Sequence, residues 1–127
     1  MRHQNKVKKL GRDKSSRESM IISQAKTLIK HGKLTTTTAR AKVTSAFVDK
    51  LLSKAVGMDD KVGRYFLEQQ IKDKDFAKFI IEDIKPLIPS KTSGFISSYK
   101  LDFRKGDNAD MTMLTLLTEK RKKSKSK

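Results

Sequence analysis

Residues 94–118 read GFISSYKLDFRKGDNADMTMLTLLT. From Phe95 onward, Tyr99, Leu101 and Phe103 alternate with Ser98, Lys100, Asp102 and Arg104. A period of two predicts a strand with one buried face. Lys105–Gly106–Asp107–Asn108–Ala109–Asp110 is a polar loop rich in turn formers. Met111 to Thr118 returns as a second strand, so the stretch predicts an antiparallel hairpin. Alternation puts Phe95, Tyr99 and Phe103 on the core face, and Met111 and Met113 are read as core as well. Lys100 and Arg104 then project from the opposite face, with Lys105 in the loop.

Upstream of the hairpin the period changes to that of helices. Ser15 with Glu18 three residues on forms a capping-box pattern, with Ser16 as the alternative cap. Met20, Ile21, Ala25, Leu28 and Ile29 follow at helical spacing, and Gly32 suits a left-handed stop, so a helix is expected over 16–31. Residues 33–37, KLTTT, are β-branched and follow a glycine, which predicts a short strand. Thr37 or Thr38 then caps a helix over 38–56, with Val43, Phe47, Leu51, Leu52 and Ala55 on one face and Gly57 ending it. Asp59 or Asp60 opens a third helix through Ile71, with Val62, Tyr65, Phe66 and Gln69 sharing a face and Gly63 weakening it. Asp73 or Asp75 opens a fourth, carrying Phe76, Phe79, Ile80, Ile84 and Leu87 and limited by Pro86 and Pro89. This order predicts an α+β fold: a small three-stranded sheet packed on one face against about four helices.

The two ends of the chain have another character. Residues 1–17, MRHQNKVKKLGRDKSSR, contain seven Lys or Arg and one acid. They cannot bury enough surface to offset their ordering entropy. The sequence closes on RKKSKSK. The expected organisation is a basic arm over 1–15, one domain over 16–118 and a disordered basic tail over 119–127. Over all 127 residues, Lys+Arg 30 against Asp+Glu 14 gives a net charge of +16. That excess implies a polyanionic partner. No apolar run approaches the roughly 20 residues of a spanning helix, so no membrane span is expected. Cysteine is absent, and His3 and His31 lie far apart, so no metal site or cofactor is expected. Asp59–Asp60 and Asp73–Asp75 fit helix caps better than catalytic pairs. No phosphate-cradling glycine loop or nucleophile–base arrangement stands out, which argues against an enzyme and a small-molecule substrate.

Taken together, these residues resemble the bacterial large-subunit ribosomal protein seventeen family. The resemblance is carried by Met1–Arg2–His3, by Leu10, Arg12, Arg17 and Met20, and by Leu28 and His31. It continues through Thr36–Thr37, Arg40–Ala41–Lys42, Pro86, Gly94–Phe95, Phe103–Arg104, Gly106–Asp107–Asn108–Ala109 and Met111. It spans about residues 1–117 and is weakest over 57–93. Ser16, Gly32 and Ile96–Ser97 depart from the family's usual residues. The resemblance implies a compact α+β domain with a basic N-terminal extension. It also implies a structural, cytoplasmic role in the ribosome: binding large-subunit ribosomal RNA near the peptide exit tunnel, beside other large-subunit proteins. The expected RNA contacts are Arg2, His3, Lys6, Lys8, Lys9, Arg12, Lys14, Ser15 and Arg17 of the arm, Arg40 and Lys42, and Lys100, Arg104 and Lys105. Arg offers bidentate geometry to phosphate and Lys a mobile point charge. Phe95, Tyr99 and Phe103 as an RNA stacking platform is the minority reading beside core packing. The competing class is a free-standing DNA-binding or nucleoid protein, which would share the charge but not need the arm and hairpin.

Overall fold

A computed structural model describes residues 13–88 and 94–117. The first helix, α1, is Lys14–His31. It begins two residues before the expected start because Asp13, rather than Ser15 or Ser16, caps it. The Asp13 carboxylate accepts from the Ser16 backbone N–H at 2.9 Å. An ionised cap also interacts favourably with the helix dipole, which a serine hydroxyl does not. At the other end Gly32 adopts φ 83°, and its N–H donates to the Leu28 carbonyl at 2.7 Å, as expected of a left-handed stop.

Strand β1, Lys33–Thr37, leads directly into α2, Thr38–Val56. Thr37 stands at the cap position without a side-chain cap bond. Thr38 instead meets the Asp110 carbonyl at 3.1 Å and the Thr112 hydroxyl at 2.8 Å, tying the start of α2 to the hairpin. The buried stripe of α2 is Ala41, Thr44, Val48, Leu51, Leu52 and Ala55. Val43 and Phe47, expected on that stripe, flank it half-buried. Gly57 ends the helix at φ −82° and so is not a left-handed cap.

The third helix, α3, is Asp60–Ile71, and of its expected face only Phe66 packs against the core. Gly63, Leu67 and Ile71 are buried, while Val62 and Tyr65 are exposed. Gly63 lies within that contact, at van der Waals distance from its neighbours. A Cβ there would stand 3.4 Å from Ile81 Cδ1 and 3.5 Å from the Ala55 carbonyl oxygen. A residue without a side chain marks the contact face, and apolar periodicity is blind to it.

Helix α4, Lys74–Phe79, is capped by Asp73, which accepts from the Phe76 N–H at 3.1 Å. The same carboxylate pairs with Lys26 of α1 at 2.9 Å. Lys26 first, and the Phe76 N–H after it, holds the Asp73 carboxyl below its usual range. The chain then widens into a π turn over Ile80–Ile84 and tightens into a 3₁₀ turn over Lys85–Leu87. Ile80, Ile81, Ile84 and Ile88 enter the core; Leu87, expected there, is half-buried. Lys85 latches this segment to the start of α3, donating to the Met58 carbonyl and to Asp60, each at 2.9 Å.

Strands β2, Ile96–Lys100, and β3, Met111–Leu116, complete a sheet of order β1-β3-β2, antiparallel throughout. Thr112, Leu114 and Leu116 of β3 are buried toward the helices. Cross-strand partners share a face, so Leu34, Thr36 and Ile96 lie with them. Met111 and Met113 fall in the opposite row and are only half-buried. Tyr99 pairs with Met113 in that row and is 51% exposed, and Phe103 is 59% exposed. Of the three aromatic residues expected in the core, only Phe95 is there. It precedes the first paired residue of β2, follows a turn at Gly94 (φ 75°), and donates its N–H to Asp49 at 2.8 Å.

A polar relay crosses the helix–sheet boundary. Thr44 is fully buried, and its hydroxyl donates to Gln24 Oε1 at 2.7 Å. Gln24 Nε2 donates to the Thr36 hydroxyl at 3.1 Å. Thr44→Val keeps the shape but leaves the Gln24 oxygen unpaired. It should cost about 1–2 kcal/mol in chemical denaturation, while Thr44→Ser should keep the bond. Equal stability of the valine variant and the wild type would show that the relay contributes nothing.

Candidate nucleic-acid interface

Arg2, His3, Lys6, Lys8, Lys9 and Arg12 lie outside the described residues. Lys14, Ser15 and Arg17 occupy the first turn of α1, immediately after its Asp13 cap. The expected arm therefore runs into a helix rather than ending before one. Arg40 and Lys42 sit in the first turns of α2; Lys42 is exposed and Arg40 half-buried. Lys100 ends β2, and Arg104 and Lys105 lie in the exposed loop beyond it.

Two of these cations line one groove. A groove of about 400 Å³ runs between α2 and β2, lined by Lys42 on one side and Lys100 on the other. Thr38, Ser45 and Asp49 of α2 and Ser98 of β2 also line it. Its width follows from side-chain size: Ala41, Ser45 and Ala46 on the helix face Ser98 on the strand, and none is large enough to fill the gap. Asp49 sets the spacing by accepting the Phe95 N–H, which fixes where β2 begins relative to α2. Lys100 Nζ stands 3.1 Å from Asp110, at an exposed pair of little intrinsic strength that an incoming anion can replace. Two mobile ammonium groups with hydroxyls between them suit a phosphodiester and its ribose. Arg40, Arg104 and Lys105 do not line this groove.

Ser45 and Asp49 carry no mark in the sequence reading, Thr38 enters it only as a cap candidate and Ser98 only as a polar strand residue. A signal was present: positions 38, 42, 45 and 49 follow spacings of four, three and four, one stripe of a helix. Its residues are small or polar, so a search for apolar periodicity passes over it.

Arg104 is committed within its own loop. Its Nε and Nη2 donate to the two carboxylate oxygens of Asp107 at 3.1 and 2.7 Å. Asp107 also accepts the Ala109 N–H at 3.2 Å. The Arg104 guanidinium, with that N–H, holds the Asp107 carboxyl down to about 2, and the Arg104 pKa is raised in return. Gly106 (φ 103°) and Asn108 (φ 58°) take the left-handed conformations that close the loop. Among the described residues, no group of three or more His, Asp or Glu is placed to hold a metal. No helix there is long and apolar enough to cross a membrane.

A family model described as ribosomal protein L17 matches residues 20–117. Curated relatives named large ribosomal subunit protein bL17 match most of the chain. One from Rubrobacter xylanophilus is 36% identical over 120 residues, covering 94% of this chain and 98% of its own. One from Thermotoga maritima is 33% identical over 124 residues, with coverage of 92% and 95%. One from Campylobacter hominis is 30% identical over 119 residues, with coverage of 94% and 100%.

The loop pair gives a pH signature. The Asp107 carboxyl is held below the ordinary 3.8, so the stability it contributes is complete above that value. It is lost as pH falls through about 2. A carboxyl-carbon NMR titration should place Asp107 at about 2 in the wild type. In Arg104→Ala the midpoint should move back toward 3.8. An ordinary midpoint in the wild type would mean that the pair is open in solution.

Proposed function

The chain belongs to the ribosomal protein L17 family, and from that premise we propose that it binds and stabilises folded large-subunit ribosomal RNA near the peptide exit tunnel. It is a structural constituent of the large ribosomal subunit, cytoplasmic and not an enzyme. Its partners are the subunit's RNA and proteins. The proposed organisation is a basic arm over 1–15, a domain over 16–118 and a basic tail over 119–127.

The observation that carries the RNA reading is the placement of charge. Residues 1–12 contain five Lys or Arg and no acid. Such a segment tracks phosphates from several directions at once. In this reading Arg2, His3, Lys6, Lys8, Lys9, Arg12, Lys14, Ser15 and Arg17 form the arm's contacts. Lys42 and Lys100 bind one backbone segment in the groove, Arg40 supports it from the helix start, and Arg104 and Lys105 add a loop contact. Each role is mainly to position the backbone, not to read base identity.

Gradient fractionation of cell extract tests the assignment to the subunit; absence from large subunits and their precursors would exclude it. Binding to folded ribosomal RNA across a salt series tests the contacts. Deleting residues 2–12 removes five cations and keeps the Asp13 cap, so the domain should retain its stability. If about half of those cations neutralise phosphates, the log–log salt slope should flatten by roughly 2. Lys42→Ala with Lys100→Ala should flatten it by a further unit or so. An unchanged slope in the deletion would remove the arm from the interface. Equal affinity for duplex DNA at matched salt would favour a free-standing DNA-binding protein.

A further inference from the structure

Helices α1 and α2 pack against the strands, and the buried residues of β3, Thr112, Leu114 and Leu116, all face them. The other side has no cover among the described residues. There Tyr99 is 51% exposed and pairs with half-buried Met113, in a row completed by exposed Thr35. Leu101 and Phe103 continue the alternation past the end of β2 and are 40% and 59% exposed. Two rings at i and i+4 along extended backbone stand about 13 Å apart, with Leu101 between them. We propose that this open sheet face is a stacking surface for unpaired nucleotides of RNA, with Tyr99 and Phe103 as the stacking side chains.

The occupant follows from the chemistry around the rings. On this face Tyr99, Leu101 and Phe103 with Met111 and Met113 form a narrow strip, bordered by the hydroxyls of Thr35 and Thr37 of β1, Ser97 of β2 and Thr115 of β3. Cations stand at its edges: Lys33 pairs across from Thr115 at one end, and Lys105 lies in the loop at the other. Neither makes an ion pair among the described residues. Aromatic faces, hydroxyls and unpaired cations on an open sheet match what single-stranded RNA offers: base planes, 2′-hydroxyls and phosphates. The surface also adjoins the proposed phosphate groove. Lys100 turns to the helix side of β2, and its neighbours Tyr99 and Leu101 lie in the opposite row. One edge strand could thus hold a phosphate on one side and a base on the other. The inference rests on the RNA-binding reading above and adds to it a second surface with a different binding chemistry.

The two tyrosines of the chain are Tyr65 and Tyr99, and there is no tryptophan. In a full-length Tyr65→Phe protein, tyrosine fluorescence therefore reports Tyr99 alone. Titration with a single-stranded oligouridylate should quench that emission, and an RNA duplex of equal phosphate content should quench it far less. Tyr99→Leu and Phe103→Leu keep apolar bulk at exposed positions and remove the ring. Each should weaken single-strand binding about tenfold while leaving the salt slope unchanged, because stacking releases no counterions. Ultraviolet crosslinking of assembled large subunits should then join Tyr99 or Phe103 to a nucleotide. Leucine variants that bind the single strand as tightly as the parent would overturn the proposal. So would crosslinks from these residues to a neighbouring protein. Either result leaves the RNA-binding reading intact if folded RNA still binds with its steep salt slope; loss of that slope in the parent protein would overturn the reading itself.

Discussion

The rest of the structure depends on the central place of β3. The last strand in the chain lies between the other two and pairs with both, Lys33 with Thr115 on one side and Ile96 with Leu116 on the other. Among the described residues neither β1 nor β2 has another strand partner. The sheet therefore closes only when a segment more than 70 residues downstream of β1 arrives, a non-local arrangement with a large loop-closure cost. What offsets that cost is burial on one side. Leu114 and Leu116 meet Leu28, Ile29 and Val48 in one cluster, and each fully buried aliphatic side chain contributes about 1.5–3 kcal/mol. Thr38 adds a tie of its own, joining the start of α2 to Asp110 and Thr112.

One-sided burial has a second consequence. A three-stranded sheet with helices on a single face leaves its other face and both edges to be managed. The edges are short, five residues each, and each carries a lysine, Lys33 or Lys100, which discourages pairing with another chain. The open face is mixed threonine, methionine and aromatic. The same geometry that produces this face also produces the groove. A sheet twisting away from a straight helix separates at its edge, and small residues on α2 and β2 leave that gap unfilled.

Much of this was legible in the residues. The order of elements, the KLTTT strand, the hairpin and the glycine stop after α1 all follow from local patterns. What was not legible depends on tertiary packing. Alternation in Tyr99, Leu101 and Phe103 correctly signals a strand, but a period of two cannot say which face meets the helices. The sheet's centre decides that, and Leu114 and Leu116 hold it. In α3 the contact face is marked by Gly63, whose lack of a side chain is invisible to an apolar count. At α1 the cap is Asp13, upstream of the two serines that the capping-box pattern points to, and its carboxylate accepts the Ser16 N–H. The groove was half legible: Lys42 and Lys100 were marked as cations, but their lining one groove needs the β1-β3-β2 order.

Charge is distributed unevenly between the ends and the domain. Residues 1–12 and 118–127 carry 11 of the 30 Lys and Arg and only one of the 14 acids. They thus supply ten of the sixteen net positive charges from fewer than a fifth of the residues. Four of the domain's cations are ion-paired: Lys26 with Asp73, Lys85 with Asp60, Lys100 with Asp110 and Arg104 with Asp107. In the proposed role this divides the work. Long-range attraction and salt-sensitive affinity belong to the ends, where unanswered charge is dense. The domain carries the remaining six net charges and adds shape: a groove between α2 and β2, and a loop that Arg104 and Asp107 hold closed. In the proposed role, selectivity for a folded RNA comes from linking two weak surfaces, arm and domain, so that an RNA able to engage both is favoured over one that engages either alone.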